Sequence, residues 1–112
     1  MTIYLANAFS LNMIEIGPQG VCVEIEPVTP HDIPADAVSI IGHEDMAGIV
    51  AGILGREVTI NRGTVTLLMT DVLYVAQYRG QRLPGGVTTL PEGARLEFYR
   101  LTLHREKVLQ NK

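Results

Sequence analysis

The sequence predicts an α/β domain, and three observations predict it. Val38, Ile40 and Ile41 form a short apolar run that stops at Gly42. Immediately after it, Met46, Ala47, Ile49, Val50, Ile53 and Leu54 recur at the spacing of one helix face, so a strand hands over to a helix at Gly42-His43. Strand-like runs lie on both sides of this junction, from Thr2–Ala6 near one end to Leu96–Leu103 near the other. With 112 residues, 46% of them apolar, the chain has material for one core, and it lacks internal repeats or low-complexity linkers; residues 1–112 therefore read as a single domain.

Taken in order, the first strand, Thr2 to Ala6, breaks into a polar cluster of Asn7, Ser10 and Asn12 interleaved with Phe9, Leu11 and Met13. Open α/β sheets place ligand-binding groups just after such strands, although Asn7 and Ser10 equally suit a turn or cap bonded to its own backbone. Gly17, Pro18 and Gly20 make a turn, and Val21, Val23 and Ile25 then alternate with Cys22, Glu24 and Glu26 as a half-exposed strand. The segment 27–36 carries three prolines; Pro30 fits the first position of one helical turn, which Pro34 ends, and His31 within it reads as a solvated loop residue. In the central helix, Glu44 and Asp45 suit the positive end of the dipole, Gly42 permits the tight turn and Gly55 supplies the stop. Apolar runs follow at Val58–Ile60, Val65–Met69 and Val72–Tyr78, separated by a turn at Asn61-Arg62-Gly63 and a break at Thr70-Asp71. The stretch 80–93, rich in glycine and proline, is a long irregular connection of the kind that is functional or mobile, with Gln81 and Arg82 at its start. Beyond the last strand, the charged tail 104–112 reads as frayed or as a short helix, and His104 is given no role.

Several function classes fall away. A net charge of −3 opposes broad binding of long nucleic acid, which needs a surplus of Lys and Arg, while leaving room for a local basic pocket. Cys22 is the single cysteine; it makes no internal disulfide, and no histidine close in sequence activates it. No segment approaches the ~20 apolar residues of a membrane span, and the N-terminus has no basic stretch ahead of its apolar run, so the cytoplasm is the expected location. His31, His43 and His104 are widely separated and form no zinc-ligand spacing; no metal or other cofactor is implied. The pair Gly85-Gly86 is followed by Val and Thr rather than by the Lys-Ser or helix of a phosphate-binding loop.

What remains is a set of groups suited to phosphate chemistry without a metal. His43 stands at a helix start beside backbone N–H groups that favour anions, although histidine there also serves as a plain surface or capping residue. Arg62 and Arg82 are candidate phosphate clamps, and Asn7 and Ser10 are neutral donors. Those parts suit cleavage of RNA by its own 2′-hydroxyl, which needs alignment, charge stabilisation and a proton for the leaving 5′-oxygen but no enzyme nucleophile.

Four motifs, YLANAFSLNM at the N-terminus, GHED at the helix start, INR in the turn and QRLPGG after a strand, resemble in order and spacing the ring nucleases of the viral type III anti-CRISPR family, which has bacterial and CRISPR-associated relatives. The resemblance covers Ile3 to Leu103. It implies a homodimer whose mixed β-sheet is flanked by helices, and a metal-independent reaction converting cyclic tetra-adenylate to linear di-adenylate with a 2′,3′-cyclic phosphate. Carried onto this chain, it makes His43 the general acid and Arg82 the phosphate-stabilising arginine, and assigns ligand contacts to Asn7, Ser10, Asn12, Arg62 and Gln77. An isologous dimer suits such a ligand because a cyclic tetranucleotide has a two-fold axis of its own. The chain departs from the family at Gly85, where Arg-Leu-Pro-Glu-Gly is common, and Glu92 further along the loop is a candidate replacement for the missing carboxylate. That departure keeps open a protein that binds a cyclic oligonucleotide without cleaving it, and a structural interaction domain explains the strands and helix equally well.

Overall fold

The computed structural model describes residues 1–105, which form one mixed sheet with a single α-helix on one face. The strands are β1 (Ile3–Ala6), β2 (Cys22–Val28), β3 (Val38–Ser39), β4 (Val72–Arg79) and β5 (Arg95–His104), in the order β2-β5-β4-β1-β3. β1 lies parallel to both β3 and β4, while β5 runs antiparallel to β4 and to β2. The three parallel strands thus point their carboxyl ends at one edge of the sheet. β1 lies between β3 and β4: the chain goes from β1 to the far edge of the sheet as β2, returns on the other side of β1 as β3, and passes through α1 to β4.

Helix α1 (Glu44–Leu54) buries Met46, Ala47, Ile49 and Val50. Met46, Ala47 and Val50 pack with Leu5, Ile41, Tyr74, Ala76 and Phe98 in the core between helix and sheet. Gly55 ends the helix in the left-handed conformation at φ 70°, and its N–H donates to the Ala51 carbonyl. The Pro30–Asp32 turn has the expected proline at its start; the Asp32 carboxylate accepts from the N–H and hydroxyl of Thr29, which holds that carboxyl below its ordinary range.

The expectation of flanking helices is corrected on the opposite face. Among the described residues, α1 is the only α-helix. That face is covered instead by irregular chain: Ile14 and Leu67 form an isolated bridge and pack with Ala6, Leu73, Val75, Leu101 and Leu103. The runs Val58–Ile60 and Val65–Met69 lack a 3.6-residue repeat, and neither pairs as a strand beyond Leu67. β2 also runs further than its alternation suggests, through Pro27 to Val28, because an edge strand tolerates a residue without an N–H. His104 belongs to β5 and meets Glu24 across the strand pair at 3.1 Å; the rest of the charged tail, residues 106–112, lies outside the described residues.

Asp71 is the buried charged side chain of the sheet, 4% exposed. Its two oxygens accept from the Thr2 N–H at 2.9 Å and the Leu68 N–H at 2.8 Å, tying the start of β1 and the covering segment to the start of β4. Asp71→Ala strips both acceptors at once, and an unpaired buried donor costs about 1–3 kcal/mol. Urea unfolding should show a midpoint lowered by a loss on that order with an unchanged slope; a shift below about 0.5 kcal/mol, the ordinary range of surface substitutions, would show that water replaces the carboxylate.

Candidate functional site

The carboxyl ends of β1, β3 and β4 converge on a cleft of about 500 Å³. Asn7 follows the last residue of β1 and is half-buried there. His43 is the N-cap of α1, exposed and in extended backbone conformation, and its imidazole makes no capping hydrogen bond, so the ring is uncommitted. Arg82 comes from the connection after β4 and lines the same cleft, with Leu83 and the backbone of Gly80 and Gly85 beside it. Tyr78 and Met46 complete the wall together with Asp45, the one carboxylate among the lining residues. The cleft lies outside the carboxyl ends of parallel strands, the place where open α/β sheets bind ligands.

Of the residues singled out from sequence, Asn7, His43 and Arg82 thus meet in one cleft. Arg62 rests on the turn that carries His43, its Nε donating to the Gly42 carbonyl at 3.0 Å, and Asn61 closes its turn with a 3.1 Å bond from the Gly63 N–H. Ser10 caps the turn Leu11–Met13 by position, without a side-chain bond, and both Ser10 and Asn12 are exposed. Gln77 points elsewhere. It lines a separate cavity of about 240 Å³ with Phe9, Ile25, Arg79 and Tyr99, and its Nε2 donates to the Tyr78 carbonyl. Glu92 lines a third cavity, with Arg82 but without His43. Asp45 is a cleft residue that the sequence does not single out: a first-turn acid is accounted for by the helix dipole alone, and its partner, the Gly86 N–H at 2.9 Å, is 41 positions away.

The connection that carries Arg82 is fastened rather than loose. Arg79 and Arg95, directly opposite in the β4–β5 register, stand where the loop leaves and returns to the sheet. Like charges facing each other destabilise a strand pair. Glu97 answers both, accepting from Arg79 Nε at 2.8 Å, from Arg95 Nε at 3.1 Å and from the Tyr99 hydroxyl at 3.1 Å. Tyr78 donates its hydroxyl to the Gln81 carbonyl at 2.6 Å, and Leu83 packs against the core.

Arg79 first, then Arg95 and Tyr99, hold the Glu97 carboxyl at about 2, against an ordinary value of 4.5. Because the folded value is depressed, the clamp is at full strength above pH 4.5 and is lost as pH falls towards 2. An NMR titration of the Glu97 carboxyl should therefore show its midpoint near 2, moving up in Arg79→Ala; a midpoint near 4.5 in the native protein would mean that the paired geometry is not kept in solution.

Fold and cleft together define a small α/β domain with a crevice at the carboxyl ends of its parallel strands. The chain belongs to the STIV B116-like family, whose profile matches residues 3–99. Among solved structures it is similar to B116 of Sulfolobus turreted icosahedral virus, at a TM-score of 0.72 and 22% identity over 91% of this chain and 99% of that one, a likeness of fold. No curated protein sequence matches it significantly. Among the described residues no helix is long and apolar enough to cross a membrane, and no three His, Cys, Asp or Glu side chains are grouped as metal ligands.

Proposed function

We propose that the protein is a metal-independent ring nuclease that opens cyclic tetra-adenylate and so switches off type III CRISPR signalling in the cytoplasm of a prokaryotic cell. The observation that carries the reading is that His43 and Arg82, the acid and the phosphate-stabilising arginine implied by the motif resemblance, line one cleft together with Asn7 although they come from different elements. In the reaction the ligand's 2′-oxygen attacks its neighbouring phosphorus in line and the bond from phosphorus to the 5′-oxygen breaks. The 2′-hydroxyl proton leaves to water, Arg82 stabilises the charge gathering on the phosphoryl oxygens, and the His43 imidazolium protonates the departing 5′-oxygen. Each such step yields a 2′,3′-cyclic phosphate and a 5′-hydroxyl, and two steps on opposite sides of the ring give two linear di-adenylates.

The size of the cleft supports a two-copy site. About 500 Å³ is a pocket for one drug-sized molecule, where pockets run to about 300–1,000 Å³, and a ring of four nucleotides is larger than that. A homodimer that joins two clefts across a two-fold axis presents one His43 and one Arg82 to each half of the ring.

Single-turnover incubation with cyclic tetra-adenylate in EDTA tests the proposal. Linear di-adenylate cyclic phosphate is expected, with His43→Ala slowed about 10²–10⁴-fold, the usual worth of a general acid. The second reading, a cyclic-oligonucleotide binding protein that does not cleave, is favoured by one observation: Gly85 brings no side chain to the cleft. It predicts stabilisation of about 2.7 kcal/mol at a free ligand concentration of 100 times the dissociation constant, with the ring recovered intact.

A further inference from the structure

Asp45 lies in the first turn of α1, one residue after the helix's first position, and its carboxylate turns away from the helix to accept the Gly86 N–H at 2.9 Å. One turn further along, Gly48 leaves so little room that a Cβ there would sit 3.1 Å from the Thr88 Cβ and 3.2 Å from its Cγ2. Positions three apart share a helix face. The face of α1 that carries positions 45 and 48 therefore grips the Arg82 connection at two consecutive points, by a hydrogen bond at Gly86 and by close packing at Thr88. Between these grips and the Tyr78–Gln81 bond at the loop's start lies the segment 82–85, which carries Arg82 and Leu83 into the cleft.

We infer that Asp45 is a positioning residue of the site: by holding the Gly86 amide it fixes the 82–86 segment against α1, so that the Arg82 guanidinium is kept in register with His43. It does so through its acceptor oxygen rather than its charge. The inference rests on the ring-nuclease reading for what Arg82 does, but the fastening itself is independent of that reading.

Two variants separate the possibilities. Asp45→Ala removes the acceptor; Asp45→Asn removes the charge and keeps a side-chain oxygen able to accept from Gly86. Hydrogen exchange at the Gly86 amide and single-turnover cleavage of cyclic tetra-adenylate are read on both, with thermal unfolding to establish that each is folded. The expected result is that Asp45→Ala exchanges the Gly86 amide about tenfold faster and cleaves about tenfold slower, the order of effect that loss of a single hydrogen bond produces, while Asp45→Asn restores both towards the native values. Native-like exchange in Asp45→Ala overturns the fastening. Faster exchange with an unchanged cleavage rate overturns the positioning role, and cleavage as slow in Asp45→Asn as in Asp45→Ala shows that the charge acts on the reaction directly. If the native protein does not cleave the ring, the ring-nuclease reading fails while exchange at Gly86 still decides whether Asp45 holds the loop.

Discussion

Ile41 is fully buried beneath α1, two residues before His43, and the placing of the imidazole follows from how that residue and its neighbours are held. Ile40 extends the pairing of β3 with β1 by donating its N–H to the Leu5 carbonyl at 2.8 Å, which sets the direction in which the chain leaves the sheet. The Ile41 carbonyl then accepts the Asn61 N–H at 2.9 Å, and the Gly42 carbonyl accepts Arg62 Nε. Burying Ile41 stabilises by about 1.5–3 kcal/mol, and it also denies the turn any freedom to rotate about the strand axis. With one side locked in the core and the other laced to residues 61–62, the helix can begin only where it does.

Gly42 shows how this constraint differs from the one the sequence suggests. A glycine between strand and helix invites the explanation that it adopts a left-handed backbone, yet it is not among the residues with positive φ. Its role is proximity: a Cβ would lie 3.2 Å from the Arg62 Cγ and 3.4 Å from the Arg62 Cα. A larger residue would push away the segment that fastens the turn and, with it, one of the arginines near the site. Nothing local in the sequence encodes that contact, because the neighbour arrives from 20 positions further on.

The same distinction explains what could be read from the chain and what could not. β4 and β5 were legible because each carries its own pattern, a continuous buried run in β4 and alternation in β5, and so were α1 and its Gly55 stop. That Asn7, His43 and Arg82 meet in one cleft was legible because each follows or begins an element, and α/β sheets gather such positions at one edge. The covering segment was not legible: Val65–Met69 looks like a strand, but strand pairing is decided by available partners, and only Leu67 finds one, at Ile14. Gln77 was assigned by likeness of motif alone, and the two-residue alternation of β4 sends it to the sheet face opposite Tyr78, which lines the cleft.

The connection 80–94 has the composition of a mobile loop and the contacts of an anchored one, and the balance between these sets how it can behave. Its polar contacts, Tyr78 to Gln81 and Asp45 to Gly86, are exposed, and ordinary hydrogen bonds contribute about 0.5–1.5 kcal/mol each. Its packing contacts are Leu83, only partly buried against the core, and Thr88 close against Gly48, and Gly85 and Gly86 between them are exposed. Opening the loop therefore costs a few kcal/mol, well below the ~5–15 kcal/mol that holds a whole domain together, and leaves β4, β5 and α1 intact. A ligand that touches Arg82 need supply only that difference to hold the loop closed. The stiffness of the Arg82 side and that of the His43 side are thus unequal: burial fixes the imidazole's helix, whereas two exposed bonds and a clamp of three charges at the base fix the guanidinium's loop.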